Sequence, residues 1–370
     1  MFSLDRSKND TSVTLDLLRA AAAQIVCIGH GIACFMPPWR VEELPLMQNV
    51  GVLIFFVLSG ILISYTLIER SKQPSYGFRT FVLERFARIY SGLVPSLLLI
   101  AAVDAVVIHG FGEKAFAASD TIKVFIANLF MLEAYRGPLA SYLKWGPFGS
   151  AGQLWTLSIE FHIYIFVAAV FFICIRPKQS LFLIPIAIVF SQIPLYYLFG
   201  ALQPDGVGMG LFTLWLSGTA ALIALKTTQL RYWKALGLAL GSAVVFFLVT
   251  KAHLEYNFLT YASLTVFLFA LLAASQARRL ITSGPVVRTI KFFADYSFTL
   301  YLTHYSILLA VFFIRPERDF YIFATMVIIA NIVAIVIAIP TEMRHRDLAR
   351  LLTNGWERWS SGRYSLSRFP

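Results

Sequence analysis

LDLLRAAAAQIVCIGHGIACFMP, from Leu15 to Pro37, is an apolar run broken by one arginine, Arg19, and one histidine, His30. It is long enough to cross a bilayer, which takes about 20 apolar residues in a helix. Arg19 and His30 are eleven residues apart. At about 100° per residue they fall within about 20° of one line on the helix surface, about 16 Å apart along its axis. A fixed cation and a titratable imidazole are costly to hold inside a membrane. Ionisable groups so placed mark functional sites by default.

The rest of the chain has the same character. Of its 370 residues, 58% are hydrophobic and 14% charged, against about 25% charged in an ordinary soluble domain. Even large soluble domains bury only about 75% of their unfolded surface, so a lipid bilayer must be the solvent for much of this chain. The first thirteen residues, MFSLDRSKNDTSV, are polar. The run after them exceeds the roughly 7–15 residues of a signal-peptide core, so the first helix is expected to stay in the membrane. Cys27, Cys34 and Cys174 all lie in apolar runs. They provide neither a disulfide framework nor metal-ligand spacing, and no metal is expected.

Apolar runs at 14–36, 47–68, 89–109, 153–175, 180–200, 209–227, 232–250, 255–275, 294–314 and 320–341 are candidate spans. The piece 122–132 is too short to cross and is expected to form an interfacial or re-entrant helix within the 110–152 loop. That loop also holds Trp145-Gly146-Pro147-Phe148-Gly149, suited to capping a cavity mouth. Of the 31 Lys and Arg, 22 fall in the loop set that contains both termini, 8 in the other set, and Arg19 inside a helix. Positive charge collects on the cytoplasmic side. The expected fold is therefore an all-α integral membrane protein of about ten transmembrane helices with both termini cytoplasmic. The net charge of +11 follows from this topology and needs no nucleic-acid partner.

Topology gives each intramembrane polar group a depth. Arg19 sits about one turn from the cytoplasmic face and His30 about two turns from the external one. Glu160, in GQLWTLSIEFHIYIF, comes out at the level of His30. A carboxylate beside an imidazole fixes its tautomer and stabilises its protonated form, as a general base requires. Ser59-Gly60 allows close helix approach. Ser297, Tyr301 and His304 share one helix face, although interhelical hydrogen bonding alone would also explain them. Arg85 and Arg88, with Arg79, form a basic rim at the inner surface. They suit the phosphates of a cytoplasmic ligand, and equally suit ordinary positive-inside anchoring.

Taken together, these residues resemble the membrane acyltransferase 3 family, multi-pass bacterial proteins that acylate cell-surface and exported glycans. The family's R-x10-H is present as Arg19 and His30. GVLIFFVLSGILI is similar to its G-V-x-x-F-F-x-L-S-G and includes Ser59. RFARIY matches R-x-x-R-I-Y at Arg85 and Arg88. LWTLSIEFHIY is similar to L-W-S-L-x-x-E-x-x-x-Y and places Trp155, Ser158, Glu160 and Tyr164. YSFTLYLTHYSIL is similar to S-Y-x-x-Y-L-x-H, and Glu342 corresponds to the final acid. The chain departs from the family pattern at Ser91, at Thr156 and after Glu342, where a proline, a serine and a proline are usual.

The resemblance implies helices around a central cavity over residues 1–345, followed by a basic cytoplasmic tail over 346–370. The tail suits anionic lipid. It implies an inner-membrane, acyl-CoA-dependent O-acetyltransferase with acetyl-CoA as donor and a glycan or lipid-linked oligosaccharide as acceptor. Arg19, Arg85 and Arg88 would hold the donor's phosphates, and His30 supported by Glu160 would be the general base. Tyr301, His304 or Ser297 would stabilise the oxyanion or bind the sugar. Without a fused soluble domain, transfer would finish within the membrane domain or through a separate partner. A transporter or flippase, and a ligand-binding sensor, are the competing classes. The acceptor, the acyl group and the oligomeric state are not legible.

Overall fold

The computed structural model describes residues 4–5, 7–37, 44–136, 142, 145–176 and 180–354. Helices α1 (Thr11–Phe35) and α2 (Met47–Arg70) fill the first two predicted spans. Helix α3 (Phe78–Ala105) starts well before the predicted 89. Its first turns carry the charged residues of RTFVLERFARIY, ahead of the apolar run, and it ends in a π-helical turn, Val106–Gly110. The short α4 (Ile122–Leu129) is capped by Thr121, whose hydroxyl accepts from the Val124 amide. A 3₁₀ turn (Gly152–Leu154) leads into α5 (Trp155–Ile175).

The predicted single span 180–200 is broken into α6 (Ser180–Phe190) and α7 (Gln192–Tyr196). Pro185 and Pro194 each remove a backbone donor from this stretch. Next come α8 (Leu211–Thr227), α9 (Tyr232–Lys251) and α10 (Phe258–Ala277). The predicted span 294–314 is also divided. An amphipathic α11 (Gly284–Asp295) stops at Tyr296, where α12 (Ser297–Ile314) begins. Helix α13 (Phe320–Ala338) is followed by a 3₁₀ turn, Glu342–Arg344.

Among the described residues, eight helices are long and apolar enough to cross a membrane. Two shorter apolar ones, Leu181–Phe190 and Leu211–Thr227, occupy the remaining predicted spans. No strand occurs among the described residues. A helical stretch over 345–354 runs across the expected start of the basic tail. The rest of that tail, with Arg358, Arg363 and Arg368, lies outside the described residues.

Packing decides where the polar groups meet. Helix α2 is the most enclosed span and lies between α1 and α8. Its crossing with α8 is backbone against backbone. A Cβ on Gly60 would stand 2.0 Å from the Trp215 carbonyl oxygen, and one on Gly218 would stand 2.3 Å from that of Val57. On its other side α1 packs against α12 and α13. There Gln24 and the Tyr296 hydroxyl both donate to Asn331 Oδ1, at 2.6 and 2.9 Å. Such interhelical bonds tie helices together where lipid supplies no hydrophobic drive. Two cavities open among α1, α2, α3, α5 and α12.

Candidate active site

The first cavity, about 210 Å³, is basic. Arg19, Arg85 and Arg88 all line it, together with Ser59, Glu160, Tyr164, Ser297 and Tyr301. The expected arginine rim is thus brought together from α1 and α3. Its members are not equivalent. The Arg88 guanidinium is ion-paired at 3.0 Å with Glu342, which is fully buried. Glu342 also accepts from the Thr299 amide and hydroxyl, each at 2.8 Å. Arg19 donates to the Ala294 carbonyl at 3.2 Å and lies 3.7 Å from Asp16. Arg85 keeps a buried Nε with no partner. It is the arginine with the most donor capacity left for an anionic ligand.

Glu160 sits at the end of a directed hydrogen-bond chain. The Trp215 indole N–H donates to Ser59 Oγ at 3.0 Å. Ser59 lies 2.8 Å from the Tyr164 hydroxyl, which donates to Glu160 at 3.0 Å. Because the last link uses Tyr164's proton, Ser59 must donate to Tyr164. Ser59, Glu160 and Tyr164 come from two helices, and the tight Gly60–Gly218 crossing sets the distance to the third, α8. Ser297 lines this cavity with its hydroxyl turned back to the Ala294 carbonyl, at 2.8 Å.

The second cavity, about 570 Å³, is aromatic. His30 lines it beside Tyr305, Tyr301, Trp155 and Trp145. The His30 ring lies 4.4 Å from the Tyr305 ring and 5.3 Å from that of His304, centre to centre. His304 is buried behind it with Nδ1 2.9 Å from the Leu300 carbonyl. That contact assigns the proton to Nδ1. Nε2 is left with a bare lone pair and no partner. Tyr301 and Val52 line both cavities. The Tyr301 hydroxyl donates to the Gln153 carbonyl at 2.9 Å.

The expected His30–Glu160 pair is not formed. No hydrogen bond joins the two among the described residues, and they line different cavities. Counting residues along helices gave them a common depth but said nothing of direction. Helix α1 turns its His30 face to α12, whereas α5 packs against α6, α7, α2 and α3. Arg19 and His30 do share a helix line, yet they also open into different cavities, one at each end of that line.

Ser158 reaches neither cavity. Its hydroxyl donates to the Met131 carbonyl at 2.6 Å. The Tyr90 hydroxyl of RFARIY donates to the Leu129 carbonyl at 2.8 Å. Both therefore pin the chain that leaves α4. Met131 itself takes φ +59, a left-handed position that non-glycine residues rarely adopt. This pinned segment brings Glu133 and Arg136 to the aromatic cavity, residues that sequence inspection passed over. The available signal was an acid within the apolar LFMLEAY. Burial pushes the Glu133 carboxyl up to about 8. The loop 145–149 does cap this cavity, through Trp145, Gly146 and Pro147. Asn128 holds it by donating to the Gly146 carbonyl and accepting from the Phe148 amide, both at 3.0 Å.

Fold and site together define a polytopic membrane protein in which most of the motif residues line two cavities that share Tyr301. An acyltransferase domain family model matches residues 13–342. The chain belongs to this acyltransferase family, the one its motifs resemble. A segment of 151 residues is 31% identical to an O-acetyl transferase of Shigella phage Sf6, covering 40% of this chain and 43% of that protein. Another of 149 residues is 23% identical to an uncharacterized protein of Haemophilus influenzae, covering 37% of this chain and 56% of that one. The chain spans about half the length of these curated relatives. No solved structure matches it.

Proposed function

We propose that this protein is a bacterial inner-membrane O-acyltransferase with cytoplasmic termini. In this scheme it moves an acetyl group from acetyl-CoA, held at the basic cavity, to a hydroxyl of an exported or lipid-linked glycan at the aromatic cavity. The observation that carries this function is the pair of cavities sharing Tyr301 and Val52 as a common wall. A charged donor and a glycan acceptor can each stay on its own side, and only the acyl group has to meet the acceptor at the wall. The phage relative that bears the O-acetyl transferase name supports the choice of acetyl.

Arg85, with Arg19 and Arg88, supplies the positive field for the donor's phosphates. Glu160 offsets part of that charge and keeps Tyr164 and Ser59 aligned. At the wall, His30 takes the proton of the acceptor hydroxyl. The hydroxyl oxygen attacks the thioester carbon, the C–S bond breaks, and the CoA thiolate recovers the proton from His30. General-base help of this kind is worth about 10²–10⁴ in rate. His304, whose ring lies 5.3 Å from that of His30 and whose Nε2 has no partner, is a second group able to share that proton.

The test is purified protein in liposomes with radiolabelled acetyl-CoA and a glycan extract of the host. Label should move to glycan with release of free CoA, and His30→Ala should lower this by about 10²–10⁴ at normal insertion. Undiminished acetylation in His30→Ala removes His30 as the base. Tight acetyl-CoA binding without turnover would favour a sensor, and glycan movement without acylation a flippase.

A further inference from the structure

The aromatic cavity carries more open hydrogen-bonding capacity than folding explains. Glu133 is 6% exposed. Apart from its own backbone amide, neither of its oxygens has a partner. Arg136 donates one nitrogen to the Leu202 carbonyl at 3.0 Å, while its Nη1 is buried and unpartnered. Gln153 is 4% exposed. Its amide nitrogen donates to the Leu302 carbonyl, and its Oε1 is buried and unpartnered. No ion pair joins Glu133 to Arg136 among the described residues. Native proteins leave few buried polar atoms unsatisfied, and each one calls for an explanation.

We propose that Glu133, Arg136 and Gln153 form the binding subsite for a neutral sugar ring, with Trp145 and Trp155 supplying aromatic surface for its C–H faces. The open set holds acceptors on two residues and a donor on a third. A sugar hydroxyl both donates and accepts, so a single ring satisfies all three. The chain also invests in the placement of Glu133, since Tyr90 and Ser158 pin the backbone on its N-terminal side. The choice of a sugar over other uncharged ligands rests on the acyltransferase function proposed above.

A buried carboxyl without partners weakens the fold, so Glu133 should cost stability and serve binding. The experiment expresses the full-length chain and its variants in the host strain lacking the native gene. It reads acetyl groups on surface glycans by mass spectrometry and thermal unfolding on the purified proteins. Glu133→Gln should cut glycan acetylation at least tenfold at normal membrane abundance, and Glu133→Asp should recover part of it. Glu133→Met, which removes the unpartnered oxygens, should unfold at a higher temperature than the wild type while failing to acetylate. Wild-type acetylation in Glu133→Gln would overturn the subsite. A lower unfolding temperature in Glu133→Met would also overturn it, because Glu133 would then be a structural residue. If the gene deletion itself leaves surface acetylation intact, the acyltransferase function fails. The subsite is then judged by titrating purified protein with a methyl glycoside series, following tryptophan fluorescence. Saturable quenching lost in Glu133→Gln would uphold it, and saturation by glycine but by no glycoside would overturn it.

Discussion

Gly60→Ala should damage the basic cavity without touching any of its charged groups. The new Cβ would lie 2.0 Å from the Trp215 oxygen, 3.1 Å from its carbonyl carbon and 3.2 Å from Gly218 Cα. All three are backbone atoms, so no side chain can swing aside. Ordinary contact begins near 3.4 Å, so α2 and α8 must part by about 1.4 Å. Overpacking of this kind costs about 1–3 kcal/mol. The Trp215–Ser59 bond, now 3.0 Å, would be pulled beyond hydrogen-bonding range, adding about 1 kcal/mol. The sum, about 2–4 kcal/mol, corresponds to a fall in Tm of about 3–5 °C for a chain of this size. The assay is a thermal ramp with a thiol-reactive dye. Cys27 and Cys34 are buried and report unfolding, while Cys174 is exposed and gives the baseline. Gly218→Ala should produce the same defect, since its Cβ meets the Val57 oxygen at 2.3 Å. The double variant should lose less than the sum, because the two substitutions part the same helices. A Gly60→Ala protein within about 1 °C of the wild type and fully active would refute the close crossing and its link to Ser59.

Glu342→Ala leaves the half-buried Arg88 without its partner and strands the Thr299 amide and hydroxyl, at an expected cost of about 1–3 kcal/mol. Replacing both residues with Met should recover much of that loss on the same thermal ramp, and a double variant as unstable as the two single losses added would contradict the pairing. Glu133 predicts a pH effect. Burial raises its folded-state value from about 4.5 to about 8, so the folded state holds the proton more tightly than the unfolded one. The native state should be favoured below about pH 4.5 and lose that advantage progressively as pH rises to about 8. The Tm difference between Glu133→Met and the wild type should therefore widen over that interval, and a gap that narrows would contradict the buried, unpartnered carboxyl.

Much of the architecture was legible because it depends on local properties. Apolar run length located eight helices long enough to span, and the motif residues Arg19, Arg85 and Arg88 do share one cavity. Proline at 185 and 194 gave a visible warning that 180–200 would not remain one helix. Ser59-Gly60 correctly signalled a close crossing, though not that Ser59 would relay a hydrogen bond towards Glu160. Ser158 looked like a site residue by its company in LWTLSIEFHIY, yet it serves the backbone of a loop. Glu133 and Arg136 were hidden because they sit in an irregular segment, where neither helix periodicity nor depth counting applies.

The sequence by itself determined the solvent, the helical class, the loop asymmetry of charge and the family. Each follows from composition or from residues close along the chain. Only tertiary structure decided that Arg19 and His30 open into separate cavities, that Glu160 belongs with the arginines, and that His304 and Tyr305 are the neighbours of His30. Rise per residue fixes how deep a side chain lies, but its direction depends on which helices pack around it. In this protein that direction separates the three arginines and Glu160 from His30, with Tyr301 lining both cavities.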